Sequence, residues 1–192
     1  MTPRHRFWLV QAAGLALALG LLLATARPRQ DAEGSLLLRL LGPGAVFAAK
    51  VEWVRFDLAL RAGELELAYA RADTALWIDP GSTEGWNAYA AHLCFDRASE
   101  QREPDPTVRR AWFDAALATL ARGETVARAP AELALFAGLI REDKAEFDPA
   151  IAGPGGARAL RLAAAEDYER AARLGKQAGT ELAARARERA GR

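Results

Sequence analysis

The stretch from Arg61 to Phe95 (RAGELELAYARADTALWIDPGSTEGWNAYAAHLCF) constrains the fold more than any other part of the chain. Glu64 to Ile78 is a run of strong helix formers, bounded by Gly63 before it and Asp79-Pro80-Gly81 after it, so the chain turns at both ends. Ser82 or Thr83 caps a second helix. Ala68, Ala72 and Ala75 recur at steps of four and three, which places them on one helix face, and larger Leu76 and Ile78 follow. A face of methyl groups lets a neighbouring helix approach closely.

The rest of the composition agrees with helices. Alanine, leucine and arginine dominate while Val, Ile and Thr are scarce, so the reading is all-α. At 192 residues and 51% hydrophobic, the chain can bury one core or one short helical array. Twenty-six Lys plus Arg against 25 Asp plus Glu leave a net charge of +1, without the basic excess of a nucleic-acid binder. The single cysteine, Cys94, has no internal disulfide partner and reads as a small buried hydrophobe.

Gly63 at the turn, Ala68 and Ala75 in the following helix, Pro80 at its close, and Trp86 and Ala90 in the next helix share one register. In this the chain resembles the tetratricopeptide repeat. The resemblance implies a short right-handed superhelix of about three antiparallel hairpins that binds other proteins, closed by a C-terminal capping helix. It also implies that spaced residues of each first helix line a groove for a partner peptide. By register these are Lys50, Trp53 and Asp57, then Glu84, Asn87, Ala91 and Phe95. Only Lys50 and Asn87 match in kind the groove type that grips a terminal carboxylate.

Three regions follow: residues 1–30, 31–44 and the helical domain 45–192. Phe7 to Ala24 is uncharged and flanked by Arg4, Arg6, Arg27 and Arg29. Its length is close to the roughly 20 residues that span a bilayer and exceeds the core of a signal peptide, which favours an uncleaved transmembrane anchor. The basic start places the remainder on the exported, periplasmic side of the inner membrane. The alternative is secretion after cleavage near Ala26, where Ala24-Thr25-Ala26 supplies small residues. Asp31 to Gly34 is a polar linker. Ser35 to Leu41 holds five leucines in seven residues, ends at Gly42-Pro43-Gly44, and reads as a short helix packing on the first hairpin.

Ala45 to Arg61 is the first helix of the first hairpin, with Val46, Phe47, Val51, Val54 and Leu58 as its expected core. Asp96 to Thr107 is a polar insertion, near whose end Asp105 and Pro106 start a helix. Ala118, Thr125 and Pro130 of that helix repeat the spacing of Ala68, Ala75 and Pro80, although Phe113 stands in the place of Gly63. Ala131 to Phe147 turns Leu133, Phe136, Ala137 and Ile140 inward. Asp148 to Gly156 is a second insertion, a loop by its prolines and glycines. Ala164, Tyr168 and Ala171 restore the small, aromatic, small spacing, Gly175 ends that helix, and Thr180 caps the last one.

Catalytic groupings are not evident. The histidines are His5 and His92, which gives no metal pair, and no phosphate-binding glycine loop or nucleophile elbow occurs. The carboxylates at Glu124, Glu132, Glu142, Asp143 and Asp167 read as solvated helix faces. The expectation is a membrane-anchored interaction scaffold, not an enzyme, that needs no cofactor and holds a protein partner as an assembly factor or accessory subunit of an envelope membrane complex. The second reading is a helical small-ligand carrier or enzyme with its pocket between the two insertions.

Overall fold

The computed structural model describes Gly42 and residues 44–192. Among them the chain is all-helical, with seven α-helices and no strand. They run α1 Gly44–Ala62, α2 Leu65–Ile78, α3 Thr83–Ala91, α4 Pro106–Glu124, α5 Pro130–Phe147, α6 Gly156–Arg173 and α7 Ala178–Ala190. A π-helical turn, His92–Arg97, extends α3, and 3₁₀ turns, Pro149–Gly155, precede α6. Two compact units divide the chain after Asp79. The expected anchor at residues 7–24, the expected linker and the leucine-rich segment lie outside the described residues, among which no helix is long and apolar enough to cross a membrane.

The first unit contains α1 and α2, which pack along one another across the Gly63 turn. Gly63 has φ +77, a backbone state that costs an L side chain its Cβ sterics. The alanine face lies where the spacing puts it: Ala68 and Ala72 are fully buried and Ala75 and Leu76 nearly so. The expected core of α1 is corrected. Ala49, Glu52, Phe56 and Ala59 are buried, whereas Val46, Phe47, Val54 and Leu58 are exposed and Val51 is half-buried. Helix α1 is apolar on two opposite sides, and the side with smaller residues allows the closer approach. Glu52 enters that side because Arg55 and Arg71 donate to it at 2.6 and 3.1 Å.

In the second unit each helix packs on the next, from α3 through α7, and α3 also meets α5. Ser82 is the N-cap of α3, accepting from the Gly85 amide at 3.1 Å, and the Thr83 hydroxyl instead accepts from the Ala129 amide. Trp86 is buried, donates through Nε1 to the Pro80 carbonyl at 2.8 Å, and lies so close to Gly123 that a β-carbon there would sit 2.7 Å from the indole. Asp105 caps α4 with Pro106 in the first turn, as the sequence indicates.

Several registers shift. Helix α4 buries Phe113, Ala116, Thr119, Leu120 and Gly123, while Ala118 and Thr125 are exposed. Phe113 is therefore core, not a turn, because α4 runs unbroken past the place where the first hairpin turns. In α5 Leu133, Ala137 and Ile140 are buried as expected and Phe136 only half so. The second insertion is not open loop. Ile151 and Ala152 are buried in its 3₁₀ turns, and Gly153 breaks the helical path with φ +73. Ala164, Tyr168 and Ala171 are fully buried. The last helix starts at Ala178, so Thr180 lies inside its first turn and is not its cap.

Candidate functional site

The groove residues inferred from the repeat register fall into two sets, each on a helix of its own unit. Lys50, Trp53 and Asp57 share one face of α1 at steps of three and four. Lys50 and Asp57 are exposed, and Trp53 is half-buried with its ring edge-on to Phe56 at 5.5 Å. Glu84, Asn87 and Ala91 share a face of α3, with Phe95 in the π-helical turn beyond. Glu84 is exposed, Asn87 and Ala91 are half-buried, and Phe95 is 46% exposed beside Phe136 of α5, ring centroids 6.5 Å apart.

The π-helical turn decides how that face ends. The Ala98 amide bonds back to the Leu93 carbonyl at 2.9 Å, a five-residue step that widens the helix by one residue. Leu93, Cys94 and Ala98 thereby stay buried while Phe95 faces out. Burial pushes the Cys94 thiol up to about 12, with Lys144 opposing that rise. Lys144 is itself buried and donates to the Ala98 carbonyl at 2.8 Å, closing the turn from α5. His92 is packed, with Nδ1 3.5 Å from Asp96. The Asn87 side-chain oxygen is buried with no hydrogen-bond donor among the described residues.

A second feature was not legible as a site from the sequence. Helices α4, α5 and α6 enclose an open cleft of about 550 Å³ with Leu117, Ala121 and Leu174 in its apolar wall. Four charges cross it. Asp167 accepts from Arg141 Nε at 2.8 Å and pairs with Arg170 at 2.8 Å, and Arg170 reaches Glu124 at 2.9 and 3.1 Å. Burial works against the Arg170 charge, but Glu124 and Asp167 outweigh it and hold the guanidinium more firmly protonated than usual. Asp167 and Glu124 are thus not solvated faces: Asp167 is buried and Glu124 largely covered. Glu142 is also engaged, accepting from the Tyr168 hydroxyl at 2.7 Å. The signal available beforehand was the four-residue coincidence of Arg141, Asp167, Arg170 and Glu124 on helices that the fold makes neighbours, and sequence spacing does not show which helices those are.

No family model matches this chain, and neither a curated protein nor a solved structure does.

Between the two insertions stands Arg109. Its Nε and Nη2 donate to Asp148 at 2.8 and 2.9 Å, and Nη1 donates to the carbonyls of Glu103 and Pro104 at 3.0 and 2.8 Å. Neighbouring Arg110 donates to the Ile151 carbonyl at 2.8 Å. A pocket at this junction would have to displace a buried guanidinium that makes four hydrogen bonds. Among the described residues there is no group of three or more His, Cys, Asp or Glu side chains able to hold a metal ion.

Proposed function

We propose that the chain is a membrane-anchored scaffold of tetratricopeptide-like hairpins that holds a protein partner on the exported face, as an assembly factor or accessory subunit of an envelope complex. The observation that carries this reading is Phe95, 46% exposed on the α3 side that the repeat register assigns to a partner peptide. Small Ala91 and half-buried Asn87 precede it by one and two turns on that face. Phe95 beside Phe136 supplies the aromatic anchor that such interfaces use.

The experiment is affinity capture from membranes with the full chain, comparing wild type with Asn87→Ala and Phe95→Ala. Both variants are expected to keep the unfolding free energy within about 1 kcal/mol of wild type, as substitutions outside the core do, while losing the same specific protein. Retention of that protein by both variants, or recovery of no specific protein by the wild type, counts against the proposal.

A further inference from the structure

The cleft between α4, α5 and α6 holds hydrogen-bond donors that its own chain leaves unused. An arginine carries its N–H donors on a rigid planar fork that matches a carboxylate or phosphate. Arg141 donates from Nε to Asp167 at 2.8 Å, and its Nη1 and Nη2 donate to no group among the described residues. Arg170 directs Nε and Nη2 at Glu124 and pairs with Asp167 through Nη2, which leaves Nη1 without a partner among those residues. The carboxylates are in the opposite condition. Each oxygen of Asp167 and Glu124 already faces a guanidinium nitrogen within 3.1 Å. Open donors beside engaged acceptors select a ligand that accepts. The rest of the wall is apolar: Leu117, Ala121, Ala137 and Leu174 line the cleft, and Leu174 is 45% exposed. The volume of about 550 Å³ is that of a small-molecule site.

We propose that this cleft binds a small amphiphilic anion, a carboxylate or phosphate group carrying an apolar chain. The head group accepts from the open donors of Arg141 and Arg170, and the chain lies on Leu117, Ala121 and Leu174. Asp167 and Glu124 already neutralise the two guanidiniums, so a bare anion gains little from charge. The head therefore supplies direction through a bidentate contact, and removal of the chain from water supplies the drive. Both parts are needed in one molecule. The site is separate from the α3 face, and it holds whether or not a protein partner occupies that face.

The test is equilibrium dialysis of the full chain, held in phosphatidylcholine nanodiscs, against radiolabelled octanoate, with the uptake of empty discs subtracted. Saturable binding of one octanoate per chain is expected, and displacement by octyl phosphate; whichever of the two binds more tightly identifies the head group. Octanol lacks the anion, and acetate and inorganic phosphate lack the chain. Each is expected to need at least about tenfold more for the same displacement, the effect of losing a hydrogen bond to a charged group or several buried methylenes. Arg141→Lys keeps the charge without the fork and is expected to weaken octanoate about tenfold. Leu174→Glu, at an exposed position, sets a carboxylate on the apolar wall and is expected to weaken it at least as much. Should Arg141→Lys unfold, Leu174→Glu and the displacement series on the wild type decide. Absence of saturable binding overturns the proposal, as does unchanged binding in either folded variant. Octanol as effective as octanoate assigns an apolar hollow without an anion site, and acetate or phosphate as effective assigns a plain anion site; either result also overturns it.

Discussion

Arg109 and Asp148, 39 residues apart, form a two-point ion pair at 2.8 and 2.9 Å that joins the two inserted segments. Arg109 is 4% exposed, and its Nη1 donates to the carbonyls of Glu103 and Pro104. Asp148→Ala leaves that guanidinium buried without its counter-charge. The expected loss is about 3–5 kcal/mol, read as a lower unfolding midpoint in denaturant. The conservative pair Arg109→Met with Asp148→Ala is expected to recover part of that loss, because no unpaired charge is then buried.

Gly138 faces the Tyr168 ring so closely that a β-carbon would fall 2.5 Å from it. In an exposed helix Gly→Ala gains about 1 kcal/mol. Here the clash reverses the sign, and Gly138→Ala is expected to cost about 1–3 kcal/mol, the range for overpacking. Ala68→Leu and Ala75→Leu in the first unit belong to the same range, since both side chains are buried. A higher Tm for any of the three would refute the close packing.

Alkaline stability follows from two buried acids. Burial raises the Cys94 thiol from 9.0 to about 12. Burial also raises the Tyr168 hydroxyl from its ordinary 10.0, aided by its bond to Glu142. Above pH 9 the unfolded chain loses these protons while the folded chain keeps them, so the folded state binds more protons and stability falls as pH rises. The Cys94 contribution disappears between about pH 9 and 12, at up to roughly 1.4 kcal/mol per pH unit. Cys94→Ala is expected to flatten the fall that begins near pH 9 and to leave the part that begins above pH 10, as measured by denaturant unfolding across this range.

The cleft network discriminates between buried and exposed charges. Asp167→Ala removes the shared partner of Arg141 and Arg170, and is expected to cost about 3 kcal/mol, the low end for a buried pair because both guanidiniums keep access to water. Glu181→Ala breaks the exposed pair with Arg185 at 3.5 Å and is expected to change stability by less than about 1 kcal/mol. Equal effects in chemical denaturation would contradict the burial of Asp167.

Where helices begin and end was legible at most boundaries, because punctuation is local. Gly63, Asp79-Pro80-Gly81, Asp105-Pro106 and Gly175 each act through the backbone of their own residues, and each bounds a helix in the structure. The alanine face of α2 was legible for a related reason: only one side of that helix is small. Thr180 misled because Gly179 continues the helix, its site too tight for any side chain. The candidate groove face was legible as positions on α1 and α3, but the unsatisfied oxygen of Asn87 depends on which side chains reach it across space.

The sequence by itself determined that this chain is helical, where most of its helices stop, and that methyl faces let α2 and α6 pack closely, since propensity, capping and side-chain size are properties of neighbouring residues. Tertiary structure alone decided which of two apolar sides α1 buries, that α4 counts its core from Phe113, and that Arg109 and Asp167 are buried charges. Those outcomes depend on which helices become neighbours, and the free energy of burying a side chain or pairing a charge is set by the partner across the gap, not by the residues beside it in the chain.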